Sequence, residues 1–177
     1  MESERINKIL YNKAVLLGMC EKVSEKWTGI LSEQELIDLW YDNYDFALQH
    51  HYPGNKDIKE LFDKGMLRRN NVIVDDMWSL LNPKNAMILG SSESNIRFNA
   101  YNVGQVWIRD NSHANVYVRD NADVTVCVMD NASVDIVNYS PTSRVLVMKY
   151  SPSSVISTIG GGIKIRENYD YLNKSGI

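Results

Sequence analysis

The sequence predicts an α+β protein in which a small N-terminal helical domain precedes a β-solenoid built on a ten-residue repeat. Three observations lead there. Val106-Trp107-Ile108-Arg109-Asp110-Asn111 recurs ten residues later as Val116-Tyr117-Val118-Arg119-Asp120-Asn121, and again as Val126-Cys127-Val128-Met129-Asp130-Asn131. Within each copy, apolar and polar residues alternate with period two, the mark of a strand with one buried face. Before residue 76 the apolar residues instead recur near helical spacing.

The helical part spans 1–76. Ile6, Ile9, Leu10, Leu16, Leu17, Cys20 and Val23 share that spacing, Gly18 predicts a break into two helices, and Trp27 closes the second. Ser32-Glu33-Gln34-Glu35 fits a capping box, in which the serine accepts an amide and the glutamate reaches back. Leu36, Leu39, Trp40, Tyr44 and Ala47 follow on one face. Tyr52-Pro53-Gly54-Asn55 reads as a turn, with Asn55 capping a short helix of Ile58, Leu61 and Phe62 that Gly65 ends. Asn70-Asn71 signals a turn before a strand, Val72-Ile73-Val74. Trp78, Leu80 and Leu81 are placed to plug the end of the array.

The repeat domain spans 77–159. Ala86-Met87-Ile88 and Ile96-Arg97-Phe98 extend the series backward. Ile136-Val137-Asn138, Leu146-Val147-Met148 and Ile156-Ser157-Thr158 extend it forward. The even-numbered set turns inward, so the odd set faces out. Asp-Asn turns the chain, asparagine tolerating the left-handed conformation, and small Ser112, Ala122 and Ala132 follow each corner. Two architectures satisfy this pattern. A parallel solenoid with two strands and about 20 residues per coil stacks Asn111 over Asn131. An antiparallel meander with odd-length hairpin loops preserves the same parity. Near-identity of successive copies favours the solenoid. Residues 160–177, opening on Gly160-Gly161-Gly162, read as a flexible or polar tail, with Ile163-Lys164-Ile165 as one last strand within it.

Composition bounds the function. The chain has 177 residues and a net charge of −3. Residues 1–76 carry 10 Lys+Arg against 14 Asp+Glu, the remainder 9 against 8, so neither part has the basic stripe of a nucleic-acid binder. The two cysteines fall in different parts, which argues against a disulfide framework. No apolar run reaches the roughly 18 residues that span a bilayer, and the predicted setting is a reducing cytoplasm. Adjacent His50 and His51 diverge by about 100° on a helix and lack further ligands, so no metal site is predicted. Asp110, Asp120 and Asp130 form a carboxylate column, but calcium-binding β-rolls use glycine-rich turns that are absent here; turn capping is the reading. His113 has no assignable nucleophile and acid, and no glycine loop cradles a phosphate. No catalytic residue, cofactor or metal is therefore predicted.

The outward residues Trp107, Arg109, Tyr117, Arg119, Tyr139 and Lys149 form the predicted binding surface, since exposed Trp, Tyr and Arg on a stiff sheet suit an interface. Leu17-Gly18-Met19-Cys20, Asp120-Asn121-Ala122 and Asp130-Asn131-Ala132 give the chain a layout that resembles small proteins of phages and mobile elements of gut bacteria. These carry a short helical segment before a β-repeat with Asp-Asn-Ala turns. The resemblance implies an anti-defence accessory protein, of the kind that blocks a host nuclease such as a CRISPR effector. The functional expectation is a non-catalytic protein-binding or inhibitory protein with no direct nucleic-acid or membrane contact. The alternatives are a structural, homo-oligomer-forming solenoid, and a solenoid that binds or transfers a sugar or nucleotide.

Overall fold

The computed structural model describes residues 2–170, so the last part of the tail expected over 160–177 lies outside the described residues. The chain divides into two compact units, one up to Met66 and the other from Leu67.

The first unit is helical: α1 (Glu2–Leu16), α2 (Glu21–Lys26), α3 (Glu33–Asp42), α4 (Tyr44–Gln49) and α5 (Asn55–Leu61). Ile6, Leu10 and Ala14 recur every four residues on the buried face of α1. Gly18 breaks the chain after α1 with φ of +86°. Asn7 ties the segment around Trp27 back to α1. Its Oδ1 accepts from Trp27 Nε1 at 3.0 Å and the Leu31 amide at 2.9 Å, while its Nδ2 donates to Leu31 O at 2.7 Å. The Ser32/Glu35 capping box opens α3 as the sequence requires. Two local expectations fail. Gly54, not Asn55, is the N-cap of α5 and makes no side-chain cap bond. Gly65 does not end the helical region but lies inside a sixth helix, α6 (Lys64–Arg69), which runs across the boundary between the units.

The second unit is a parallel β-solenoid of about five coils. Odd-numbered strands β1 (Val72–Val74), β3 (Asn85–Leu89), β5 (Val103–Ile108), β7 (Asp123–Val128), β9 (Arg144–Lys149) and β11 (Ile163–Glu167) pair in that order as one sheet. Even-numbered β2 (Met77–Leu81), β4 (Glu93–Phe98), β6 (His113–Val118), β8 (Ser133–Asn138) and β10 (Val155–Ile159) form the other. Every ladder is parallel, so the meander is excluded. The solenoid thus begins at β1 and ends at β11, wider at both ends than the 77–159 read from the repeat. Trp78, Leu80 and Leu81 are no plug; they belong to β2, paired with β4.

Inward side chains stack one coil above the next: Ala86, Val106 and Val126; Ile88, Ile108 and Val128; Ile96, Val116 and Ile136, none more than 1% exposed. Gly104 leaves the room that Phe98 fills; a Cβ there would collide with the Phe98 ring and lie 2.5 Å from Pro83 O. At the three Asp-Asn corners the left-handed residue is the aspartate, not the asparagine: φ is +65° at Asp110, +58° at Asp120 and +53° at Asp130. Each carboxylate then accepts the amide of the corner residue one coil back. Gly90 N donates to Asp110 at 2.7 Å, Ala100 N to Asp120 at 2.8 Å and Asp110 N to Asp130 at 3.0 Å. Asparagine makes the ladder instead, with Asn131 Nδ2 3.4 Å from Asn111 Oδ1.

The inward set is even without interruption only from β2 to β8; it is odd in β1 (Ile73 opposite Ile88), even again in β10 (Ile156 opposite Val134) and odd in β11 (Ile163 opposite Val145). After Ser140-Pro141-Thr142 one extra residue enters the turn, and Val145 and Val147 stack on Val124 and Val126. Odd positions are inward in β9, the reverse of the even-numbered register read from the sequence.

A two-faced solenoid with a candidate interface on the five-stranded sheet

Outward residues of the two sheets differ in kind. On the six-stranded sheet Met87, Leu89, Trp107, Cys127 and Met129, toward the C-terminal ends of β3, β5 and β7, are buried to 3% exposure or less, while Gln105 and Thr125 beside them are half-buried. Over that stretch the six-stranded sheet is apolar on both sides. On the five-stranded sheet the outward residues are Asn95, Arg97, Asn115, Tyr117, Asp135 and Val137, each half-buried or exposed.

This divides the expected binding residues. Trp107 and Arg109 face outward from the solenoid core yet are 2% exposed, so neither is available as a surface contact. Pointing away from the core and reaching water are separate conditions, and strand parity reports the first alone. Burial draws the Arg109 guanidinium below its usual pKa, and the carboxylates of Asp110 and Asp130 oppose that effect. Lys149 is displaced for another reason. The extra residue before β9 puts it at an inward register opposite Val128, half-buried at the strand end, with Nζ 6.0 Å from the Tyr169 ring. Tyr117, Arg119 and Tyr139 do share one accessible face.

Arg97 joins that face, although the sequence reading passed over it. The register sets Arg97 on β4 beside Tyr117 on β6, and Arg119 follows two residues on, one past the end of β6. The Arg119 guanidinium lies 4.7 Å over the Tyr139 ring. Arg97 and Arg119 are exposed, and among the described residues neither is ion-paired to a carboxylate. Together with Ser79, Leu81 and Asn95, these side chains line an open groove. The signal that could have found Arg97 is the twenty-residue comparison: outward positions read every twenty residues give Trp107 and Cys127 on one sheet and Arg97 and Tyr117 on the other.

At the opposite end of the same face, the parallel register brings together a group the sequence did not connect. His113 Nδ1 lies 2.8 Å from Ser133 Oγ, and His113 Nε2 lies 3.6 Å from Asp135 Oδ2. The residue types are those of a nucleophilic triad, but the geometry does not supply one. The Ser133 amide, the usual oxyanion donor, is engaged with Ser112 O at 2.9 Å. Asp135 stands at long range with its side chain half exposed, in bulk water where its charge is screened. The cluster works as a cross-strand polar ladder.

Asp110, Asp120 and Asp130 each have a carboxylate oxygen on a backbone amide, which is turn capping. No described helix is long and apolar enough to cross a membrane. No protein family, curated protein or solved structure matches the chain.

Proposed function

We propose that this is a non-catalytic protein-binding module that docks a protein partner on the outer face of its five-stranded sheet. The observation that carries the reading is the grouping of Tyr117, Arg119 and Tyr139 with Arg97 on one accessible face of a stacked, hydrogen-bonded scaffold. Tyrosine and arginine give much contact area and several directed hydrogen bonds for little conformational entropy, and they dominate interface energetics. A parallel solenoid holds them without reorganisation on binding. The host defence nuclease implied by the resemblance is one such partner, bound in the cytoplasm of a bacterial host.

The test is capture from a bacterial lysate by the full chain and by a Tyr117→Ala plus Tyr139→Ala variant, the fold checked by circular dichroism. The expected result is a specific partner lost at least tenfold in the variant. Equal capture by both proteins moves the site off this face. Trp107 is left intact, because truncating so buried a ring would open a cavity and confound the readout.

A second reading, an oligomer-forming solenoid, draws on the last coil. Among the described residues, strands β10 and β11 each pair on one side alone, and Ile165, at an inward register opposite Val147, is 47% exposed. Exposed strand edges are templates for pairing. Against this, a two-fold junction of β11 strands centred on Ile165 would set Lys164 opposite Arg166 of the second copy, and like charges directly opposed destabilise a ladder. A monomer mass by light scattering across a wide concentration range removes this reading.

A further inference from the structure

We infer that the segment this face recognises is an extended acidic stretch of a partner protein with carboxylates at alternate positions. The inference rests on the protein-binding reading above and deepens it. The face holds two copies of one arrangement. Arg97 lies beside Tyr117 across the β4–β6 ladder. Arg119 lies over the Tyr139 ring, the two standing one residue past the ends of β6 and β8 and displaced from the first pair by one strand and two residues. With strands about 4.8 Å apart and about 3.3 Å per residue, the two arginine Cα atoms stand roughly 8 Å apart. Side chains two residues apart on an extended chain are separated by about 6.6 Å. Flexible arginine side chains span that difference easily.

Charge sets the sign. Neither arginine is ion-paired among the described residues, so each keeps its donors for a ligand. Asp120, the acid next in sequence to Arg119, has a carboxylate oxygen on the Ala100 amide. The outward acids of these strands lie before the arginines along the strand direction: Glu93 opens β4, and Asp135 is the third residue of β8, in register with Asn115. Glu93 is four residues from Arg97, about 13 Å along β4. The acids therefore lie to one side of the arginine pair and leave both guanidinium groups to a ligand. Guanidinium groups take carboxylates in paired hydrogen bonds, and the adjacent rings supply apolar contact. Two arginines with acids on the same face do not make the continuous basic track along which a nucleic-acid backbone runs.

The test is fluorescence anisotropy on the full chain with three fluorescein-labelled probes: a ten-residue alternating Glu-Gly peptide, its Lys-Gly counterpart, and a ten-nucleotide oligothymidylate. Saturable binding of the Glu-Gly peptide is expected, weakened at least tenfold in an Arg97→Ala plus Arg119→Ala variant and weakened again by added salt. All four target side chains are half-buried or exposed, so the variants keep their melting temperatures. Failure to bind the Glu-Gly peptide, binding indifferent to the two arginines, or tighter binding of the oligothymidylate overturns the inference. If the lysate partner is lost with Tyr117→Ala plus Tyr139→Ala but retained by the arginine variant, the docking face stands and the acidic partner falls. If neither variant loses it, both fall.

Discussion

At the three Asp-Asn corners of the repeat a single aspartate does two things. It takes the left-handed backbone conformation, which costs most L-residues but which short polar side chains tolerate. Its carboxylate also accepts an amide from the coil before. Alanine at Asp120 would leave the Ala100 amide without that acceptor and keep a left-handed residue with no local compensation. Asp120→Ala should therefore cost about 1–3 kcal/mol; an unchanged urea midpoint would mean that water replaces the carboxylate at no cost. The turn itself was legible in the Asp-Asn dipeptide. The division of labour within it was not, because the amide that the carboxylate satisfies lies twenty residues away and becomes a neighbour only once the coils stack. Arg109 went wrong in a related way: parity gave its direction, and nothing local in the repeat says whether that direction meets water.

Among the elements, α3 is the one the sequence specified most completely, since Ser32 and Glu35 both make the bonds their spacing promises. Accepting the Ser32 backbone amide, and secondarily its hydroxyl, holds the Glu35 carboxyl below its usual value of 4.5. A carboxyl lowered in the folded state contributes stability that is present above its unfolded value and lost as pH falls through the folded one. The melting temperature of Glu35→Gln should therefore lie below that of the parent at neutral pH, and the gap should close as pH drops below 4.5. A gap constant with pH would show that the ionised form is not what caps the helix. The short helices after α3 were less legible. A Gly-Asn pair offers two neighbouring cap positions, and Gly65 sits in α6 where propensity argues against helix. In the solenoid, strand existence followed from alternation, whereas the reversed parity of β9 followed from one added residue in a Ser-Pro-Thr turn, which moved Lys149 off the surface where the sequence placed it.

For the molecule as a whole, the period that matters physically is twenty, because two strands and two corners complete a coil. A ten-residue reading finds the fold but merges two unlike faces; a twenty-residue reading separates the outer face with the apolar stretch from the polar one that carries the candidate site. Half-coil and full-coil changes in length therefore have opposite consequences. Excising residues 111–130 joins Asp110 to Asn131 and recreates the same Asp-Asn-Ala corner, with the later strands returning to the sheets they came from. That shortened chain should fold cooperatively with an unchanged circular dichroism shape per residue, while losing Tyr117 and Arg119. Excising 111–120 joins an equally good corner but sends every later strand to the wrong sheet, turning Cys127 and Met129 out onto the wet side; it should aggregate on expression. A gene encoding such an array can thus lengthen or shrink by recombination between copies two apart, and is penalised for crossovers between adjacent ones, however alike they look.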